Sequence, residues 1–207
     1  MHFTKSLWEN NLDLALKSLN TKFVRGIGEG SLPKKTFQKY VAQDAFFLES
    51  FANAYKSAIS KALNRIDLEI ISGLLDGVKE ELTLHESYAN KWGVDLQKYI
   101  IEPSTKKYTD FLEKISVNSG CAEIMCAMSP CMRLYSWLGK KLENKSINNP
   151  YKDWIITYAD DDFEELARSL ERLIEKNTDN INLDTAHYLY KEAMKLEYEF
   201  FLAYSDF

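Results

Sequence analysis

Apolar residues recur at helical spacing along nearly the whole chain, and this pattern predicts an all-α fold. The clearest example follows Pro33, where large apolar side chains return every three or four residues. The pattern predicts eight helices. They cover residues 3–20, 33–61, 65–91, 104–117, 120–143, a short segment within 148–163, a segment that begins near residues 160–162 and ends at 176, and residues 182–204. The segment FVRGIGEGSLP, with three glycines and a proline, is predicted to be a connection. Nothing linker-like divides the chain, which favours one domain over residues 1–207, a bundle of seven or eight helices.

The composition narrows the classes of partner. The chain has 207 residues, of which 45% are apolar and 28% charged, enough to build one buried core. Its net charge of −5 offers no basic surface for nucleic acid. A membrane span is not expected, because the chain has no run of about 18 apolar residues. Three cysteines, an odd number, argue against a disulfide framework, and the N-terminal MHFTKSLWENN is unlike a secretory signal. We therefore expect a cytoplasmic protein.

Two acidic residues interrupt apolar helix faces at opposite ends of the chain. Asp44 lies between Tyr40 and Phe47 at helical spacing, where a carboxylate must be hydrogen-bonded, paired or protonated. The alternative is a position at the edge of the apolar face with access to solvent. Glu197 lies in the same way on the face of the last predicted helix. A buried glutamic acid with a raised pKa suits a general acid or base, and structural pairing with lysine or tyrosine is equally compatible with the pattern.

The segment SPCMRLYSWLG places Cys131 directly after Pro130 in an apolar helix. Proline has no N–H, so the helix is predicted either to kink or to restart there. A restart would place Cys131 near a positive helix end, with Tyr135 one turn later on the same face, and would favour a reactive thiolate. In that case iodoacetamide would label Cys131 faster than Cys121 or Cys126. Spacing alone favours an inert core cysteine.

Metal chemistry fits the sequence poorly. The histidines are His2, His85 and His187, and only Glu81 and His85 form a Glu–His pair at i,i+4. A di-iron carboxylate bundle needs Glu-x-x-His on each of two helices, so this pair is interpreted as a surface or buried polar pair. The twelve tyrosines would suit an aromatic, nitrogen-rich ligand if their hydroxyl groups surround an apolar cavity.

Six segments, taken in order, resemble the TenA/thiaminase II family. They are FVRGIGEGSLPKKTFQKYVAQDAFFL, EELTLHESY, KYTDFL, SPCMRLYSWLG, NPYKDWIITYADDDF and KLEYEFF, and they span nearly the whole chain. The specific part of the resemblance is the combination of QD, PC-x-x-x-Y, WI-x-x-Y and E-Y-x-F-F. It implies the haem-oxygenase-like all-α fold without haem, in a homotetramer, with no metal or organic cofactor.

The resemblance implies an enzyme of the family's cysteine-containing branch. That branch hydrolyses aminomethyl-aminopyrimidine to hydroxymethylpyrimidine for thiamin salvage, and it can also cleave thiamin. Matched residue by residue, the nucleophilic cysteine falls on Cys131, the catalytic glutamate on Glu197 and the pyrimidine-binding aspartate on Asp44. The tyrosines that line the family's pocket fall on Tyr108, Tyr135 and Tyr158.

Phe47 departs from the family, which often has tyrosine at this position. Phenylalanine retains stacking on a pyrimidine but loses a hydrogen bond, so we expect the change to affect substrate preference. In the implied mechanism, Glu197 protonates a ring nitrogen, Asp44 holds the amidine-like edge of the ring, and the thiolate of Cys131 adds to the ring. Tyr135 is expected to position the thiol.

Two alternatives remain, a protein of another functional class and a different enzyme of the same fold. A non-catalytic pyrimidine-binding or regulatory protein of the same fold would bind the ligand without releasing product. A di-iron oxidase would need more histidines, and a cofactor-free oxidase would need a large basic pocket for an anionic substrate.

Overall fold

The computed structural model describes residues 3–207, apart from the side chains at positions 84, 86 and 88, so His2 lies outside the described residues. In this part of the chain the structure has no strand and contains ten α-helices and three short 3₁₀ helices, at Leu96–Lys98, Glu143–Lys145 and Thr178–Asn180. The α-helices are α1 Phe3–Glu9, α2 Leu12–Leu19, α3 Lys22–Glu29, α4 Lys34–Ser60, α5 Arg65–Trp92, α6 Pro103–Asn118, α7 Cys121–Leu142, α8 Lys152–Ala159, α9 Asp161–Lys176 and α10 Leu183–Leu202. The predicted all-α class is confirmed.

The two additional helices come from the N-terminal part of the chain. The helix predicted over residues 3–20 is divided, because the Asn11 side chain donates a hydrogen bond to the Leu7 carbonyl (2.8 Å) and ends α1. The segment predicted to be a connection contains α3, whose first turn is capped by the Thr21 hydroxyl accepting from the Val24 N–H (3.2 Å). Of its three glycines, only Gly30 has a positive φ (70°) and ends the helix.

Gly28 lies in the last turn of α3, where the lack of a side chain allows close packing against a neighbouring segment. A Cβ atom there would lie 2.8 Å from Cδ2 of Leu142. The glycines of this segment were therefore misread as turn signals, since two of the three lie within the helix and a glycine can equally serve close packing of helices.

Helix α7 runs without interruption through Pro130. Of the two alternatives predicted at Pro130, a kink or a restart, the restart is therefore wrong, and Cys131 lies in the interior of the helix rather than in its first turn. Proline removes one backbone hydrogen bond, but α7 is packed against α8, α9 and α10, and this burial keeps its two halves in one helix.

Helices α4, α5, α7, α8 and α10 surround the candidate site. Helix α4 packs against α5, α6 and α7, and α7 packs against α8 and α10. The approach of α8 to α7 is very close at Gly139, where a Cβ atom would lie 2.2 Å from the carbonyl carbon of Tyr158. Within residues 3–207, none of the helices combines the length and the apolar character that crossing a membrane requires.

Candidate active site

An inner cavity lies between α4, α5 and α7, with α8 and α9 completing its wall. It is small and is lined by ten residues: Asp44, Phe47, Leu48, Phe51, Glu81, Cys131, Met132, Tyr135, Tyr158 and Phe163. Five of the seven site residues predicted from the sequence line this cavity. The other two, Tyr108 and Glu197, are connected to it through direct contacts, so the structure brings all seven together.

Glu197 connects Tyr108 to Cys131. The Tyr108 hydroxyl donates a hydrogen bond to Oε1 of Glu197 (2.7 Å), and the buried Cys131 thiol interacts electrostatically with the same carboxyl group. The Tyr108 ring also packs on Phe47, with 4.7 Å between the ring centroids. Burial raises the pKa of Glu197 to about 8; the hydrogen bond from Tyr108 and the interaction with Cys131 oppose this rise, and the charge of Asp44 adds to it. Glu197 is therefore a neutral acid at neutral pH.

The environment of Cys131 favours the thiol rather than the thiolate. Burial raises its pKa well above the ordinary value, and the nearby carboxyl groups of Glu197, Glu81 and Asp44 raise it further. The expectation of a helix-end thiolate that reacts fastest with iodoacetamide therefore loses its physical basis. The cause is the continuous helix, which leaves acidic side chains as the nearest charged groups of Cys131.

Asp44 belongs to a second polar cluster that sequence reasoning missed. Nε2 of His85 lies 3.0 Å from Oδ2 of Asp44, and both side chains are buried. Burial lowers the pKa of His85, but the hydrogen bond and charge of Asp44, the charge of Glu81 and a hydrogen bond to the Val41 backbone outweigh it, so the pKa is raised. This arrangement favours an imidazolium paired with the Asp44 carboxylate.

Glu81 is the other member of this cluster. The Tyr158 hydroxyl donates a hydrogen bond to Oε1 of Glu81 (2.9 Å). Burial and the charge of Asp44 raise the pKa of Glu81 to about 7, although Tyr158 and His85 oppose the shift. The signal for this cluster was the i,i+4 pair of Glu81 and His85 in EELTLHESY. Its interpretation as a polar pair was incomplete, because the sequence does not specify which neighbouring helix the pair faces.

The aromatic residues fix the far wall of the site. The Tyr135 and Tyr158 rings meet edge to face, with 4.7 Å between their centroids. The Tyr135 hydroxyl lies 3.4 Å from the Tyr40 hydroxyl, which accepts a hydrogen bond from Nε1 of Trp154 (3.2 Å). The hydrogen bond described for Tyr135 thus goes to Tyr40 rather than to Cys131, so the expected role of Tyr135 in positioning the thiol stays a prediction.

The site as a whole is acidic. Three carboxyl groups, from Asp44, Glu81 and Glu197, influence the pKa of Cys131, and His85 is paired with one of them. Among the described residues, no group of three or more His, Cys, Asp or Glu side chains has an arrangement that could hold a metal ion.

Comparisons with known proteins agree with this architecture. The model of the TENA/THI-4/PQQC family matches residues 9–206. The chain is 36% identical to the mitochondrial bifunctional TH2 protein of Arabidopsis thaliana, over 95% of this chain but only 36% of that protein's length. It is 30% identical to a protein of Halalkalibacterium halodurans named aminopyrimidine aminohydrolase, over 95% of this chain and 88% of that one.

Solved structures give the same fold. A TenA family transcription regulator from Silicibacter superposes with a TM-score of 0.91 at 22% identity, covering 98% of this chain and 96% of the other. A TenA homologue from P. horikoshii also gives a TM-score of 0.91, at 21% identity, with 99% and 98% of the two chains covered. With a family model that matches almost its full length and a curated relative of similar size, the chain belongs to the TENA/THI-4/PQQC family.

Proposed function

We propose that this protein is an aminopyrimidine aminohydrolase of thiamin salvage. It converts aminomethyl-aminopyrimidine and water to hydroxymethylpyrimidine and ammonia, with Cys131 as the nucleophile. The observation that carries the proposal is the placement of the buried Cys131 thiol beside Glu197, a buried carboxylic acid whose pKa is raised to about 8 and which is held by the Tyr108 hydroxyl. The name of the relative from Halalkalibacterium halodurans supports the same reaction.

Asp44 and His85 hold the ring. A carboxylate accepts hydrogen bonds from the exocyclic amine and from a protonated ring nitrogen, as in an amidinium–carboxylate pair. Nε2 of His85, 3.0 Å from Oδ2 of Asp44, pairs with this side chain in a buried position. Phe47, packed on Tyr108, offers an apolar face to the pyrimidine.

Glu197 allows Cys131 to be deprotonated although the pKa of the thiol is raised. Its acid form gives a proton to a ring nitrogen, which makes the ring electron-poor, and the resulting carboxylate then takes the proton of the Cys131 thiol. The sulfur adds to a ring carbon as it loses this proton. Glu197 ends the step as a neutral acid again, so no net charge is created in the buried site, and the thiolate forms only when the ring is ready to accept it.

The electron pair of the ring then expels the leaving group from the exocyclic methylene carbon. Water adds to that carbon, and the carbon–sulfur bond breaks by the reverse of its formation. Thiamin has the same ring and methylene carbon with a thiazolium leaving group, so the same steps extend to thiamin cleavage.

Three features of the proposal rest on the sequence and on the family resemblance rather than on the site. We propose that residues 1–207 form one catalytic domain, that four copies assemble, and that the protein acts in the cytoplasm. The chain spans only about a third of the Arabidopsis relative (36%), so further domains of that protein have no counterpart in the matched region.

The test is incubation of the purified protein with aminomethyl-aminopyrimidine and, separately, with thiamin, followed by quantification of hydroxymethylpyrimidine and ammonia. Release of equimolar ammonia and hydroxymethylpyrimidine from the amine supports the proposal. Tight binding of the pyrimidine with no product from either compound would instead support a non-catalytic binding protein.

A further inference from the structure

Glu81 lines three cavities. It faces the inner cavity that contains Cys131, a side cavity that Trp154 also lines, and an outer groove between α5, α8 and α9. The outer groove, at about 340 Å³, is much larger than the inner cavity, at about 10 Å³. Met132 and Phe163 also line both the inner cavity and the outer groove. Glu81, Met132 and Phe163 thus form a neck between them.

We propose that Glu81 is a further catalytic residue that binds the leaving group of the substrate, and that it selects leaving groups with a positively charged nitrogen. This inference rests on the proposed function, because it takes the pyrimidine ring to occupy the inner cavity beside Cys131. The leaving group is bonded to the ring through a single methylene carbon. It therefore extends from the inner cavity into the neck, where Glu81 supplies the only carboxyl group of the three neck residues.

The charges around the neck favour a cation. The acidic side chain of Asp44 on α4 lines the inner cavity, and those of Asp160 and Asp162 line the outer groove. No lysine or arginine is found among the described residues that line either space. Within the described part of the chain, the basic group that acts on Glu81 is His85 on α5, which is paired with Asp44.

The contacts of Glu81 leave it suited to hold an ammonium group. The hydrogen bond from Tyr158 goes to Oε1, so the carboxyl group retains a second oxygen for the ligand. Burial and Asp44 raise the pKa of Glu81 to about 7, and a cation in the neck would lower it and favour the carboxylate. Tyr40 on α4 and Cys131 on α7 also lie within electrostatic reach of Glu81, and both stay neutral because burial raises their pKa.

The ion pair balances the departure step. The carboxylate of Glu81 stabilises the ammonium form of the substrate amine. When the carbon–nitrogen bond breaks, its electron pair stays on nitrogen, and neutral ammonia leaves. The positive charge stays on the amidine edge of the ring, beside Asp44. When water adds to the methylene carbon, its proton goes to the Glu81 carboxylate and from there to ammonia, so the net products are the alcohol and ammonium.

The experiment compares Glu81→Gln with the wild-type enzyme on three ligands. Glutamine keeps the size of the side chain and an oxygen acceptor for Tyr158 but removes the charge. We expect kcat/KM for aminomethyl-aminopyrimidine to fall about 100-fold, because both the ion pair and the proton acceptor are lost. For thiamin, whose thiazole leaves without a proton, we expect a loss of about tenfold from the ion pair alone. The Kd for the neutral hydroxymethylpyrimidine should be unchanged.

A matched control is Glu49→Gln, which removes an exposed carboxylate of α4 that lines neither the inner cavity nor the outer groove. It should behave as wild type. Equal losses of Glu81→Gln on both substrates, a weakened Kd for hydroxymethylpyrimidine, or unchanged kinetics would each overturn the role of Glu81. Absence of turnover in the wild-type protein would instead overturn the proposed function itself.

Discussion

Replacing Gly139 with alanine tests the close packing that places α8 at the site. An added Cβ atom would lie 2.2 Å from the carbonyl carbon of Tyr158 and 2.4 Å from the backbone N of Ala159. Both atoms belong to the backbone, so no side-chain rotation relieves the contact, and α8 must move away from α7. Overpacking of this kind costs up to about 3 kcal/mol. The intrinsic preference of a helix for alanine over glycine returns about 1 kcal/mol.

The net loss is therefore about 2 kcal/mol, which for a chain of this size corresponds to a fall in Tm of about 4–8 °C. Thermal unfolding followed by circular dichroism at constant protein concentration measures it. The matched control is Gly73→Ala in α5, where an added Cβ atom meets nothing within 4 Å. This control should raise Tm slightly, because alanine favours the helix and meets no obstacle.

Activity provides a second readout for Gly139→Ala. Displacement of α8 carries Tyr158 away from Glu81, so turnover should fall even at temperatures where the variant is folded. A Gly139→Ala protein with the Tm of Gly73→Ala would refute the reasoning, because it would mean that α7 and α8 do not approach at backbone distance.

Two further predictions concern Glu197. The Tyr108→Phe variant loses the hydrogen bond that lowers the pKa of Glu197. The alkaline limb of its pH profile of kcat should therefore move above pH 8. An unchanged limb would show that this limb does not report the titration of Glu197. The pKa of Glu197 is about 8 in the folded protein, against an ordinary value of 4.5. The neutral side chain therefore contributes stability that is fully present below pH 4.5 and is lost as the pH rises through about 8. Glu197→Gln should remove this part of the decline in Tm between pH 5 and 9, and a decline as steep as that of the wild type would contradict the assignment.

The helical pattern was sufficient for the fold class because apolar residues recur at helical spacing along the whole length of the long helices. Helices α4, α5 and α6 begin and end within about two residues of the predicted bounds, a usual tolerance for helix ends. The short segment from Lys22 to Glu29 was misassigned because glycines needed for packing and glycines needed for turns look alike in a sequence. Their partners, such as Leu142 for Gly28, are distant along the chain.

The candidate site, like the fold, could be predicted from the sequence only in part. Asp44 and Glu197 could be selected from the sequence because each interrupts an apolar face, and the family resemblance selected Cys131. His85 and Glu81 could not be linked to Asp44, since their role depends on how α5 is rotated against α4. The protonation state of Cys131 was also beyond the sequence, because it depends on an uninterrupted α7 and on carboxyl groups brought from three other helices.

The role of Cys131 is tested most directly by comparing Cys131→Ser with Cys126→Ser on aminomethyl-aminopyrimidine. Cys126 is a buried cysteine of the same helix that lies outside the inner cavity, so its variant controls for the loss of a core thiol. Single-turnover release of hydroxymethylpyrimidine, measured beside binding of the ring, should persist in Cys126→Ser and disappear in Cys131→Ser while binding remains. Turnover of Cys131→Ser at the wild-type rate would contradict covalent catalysis by Cys131.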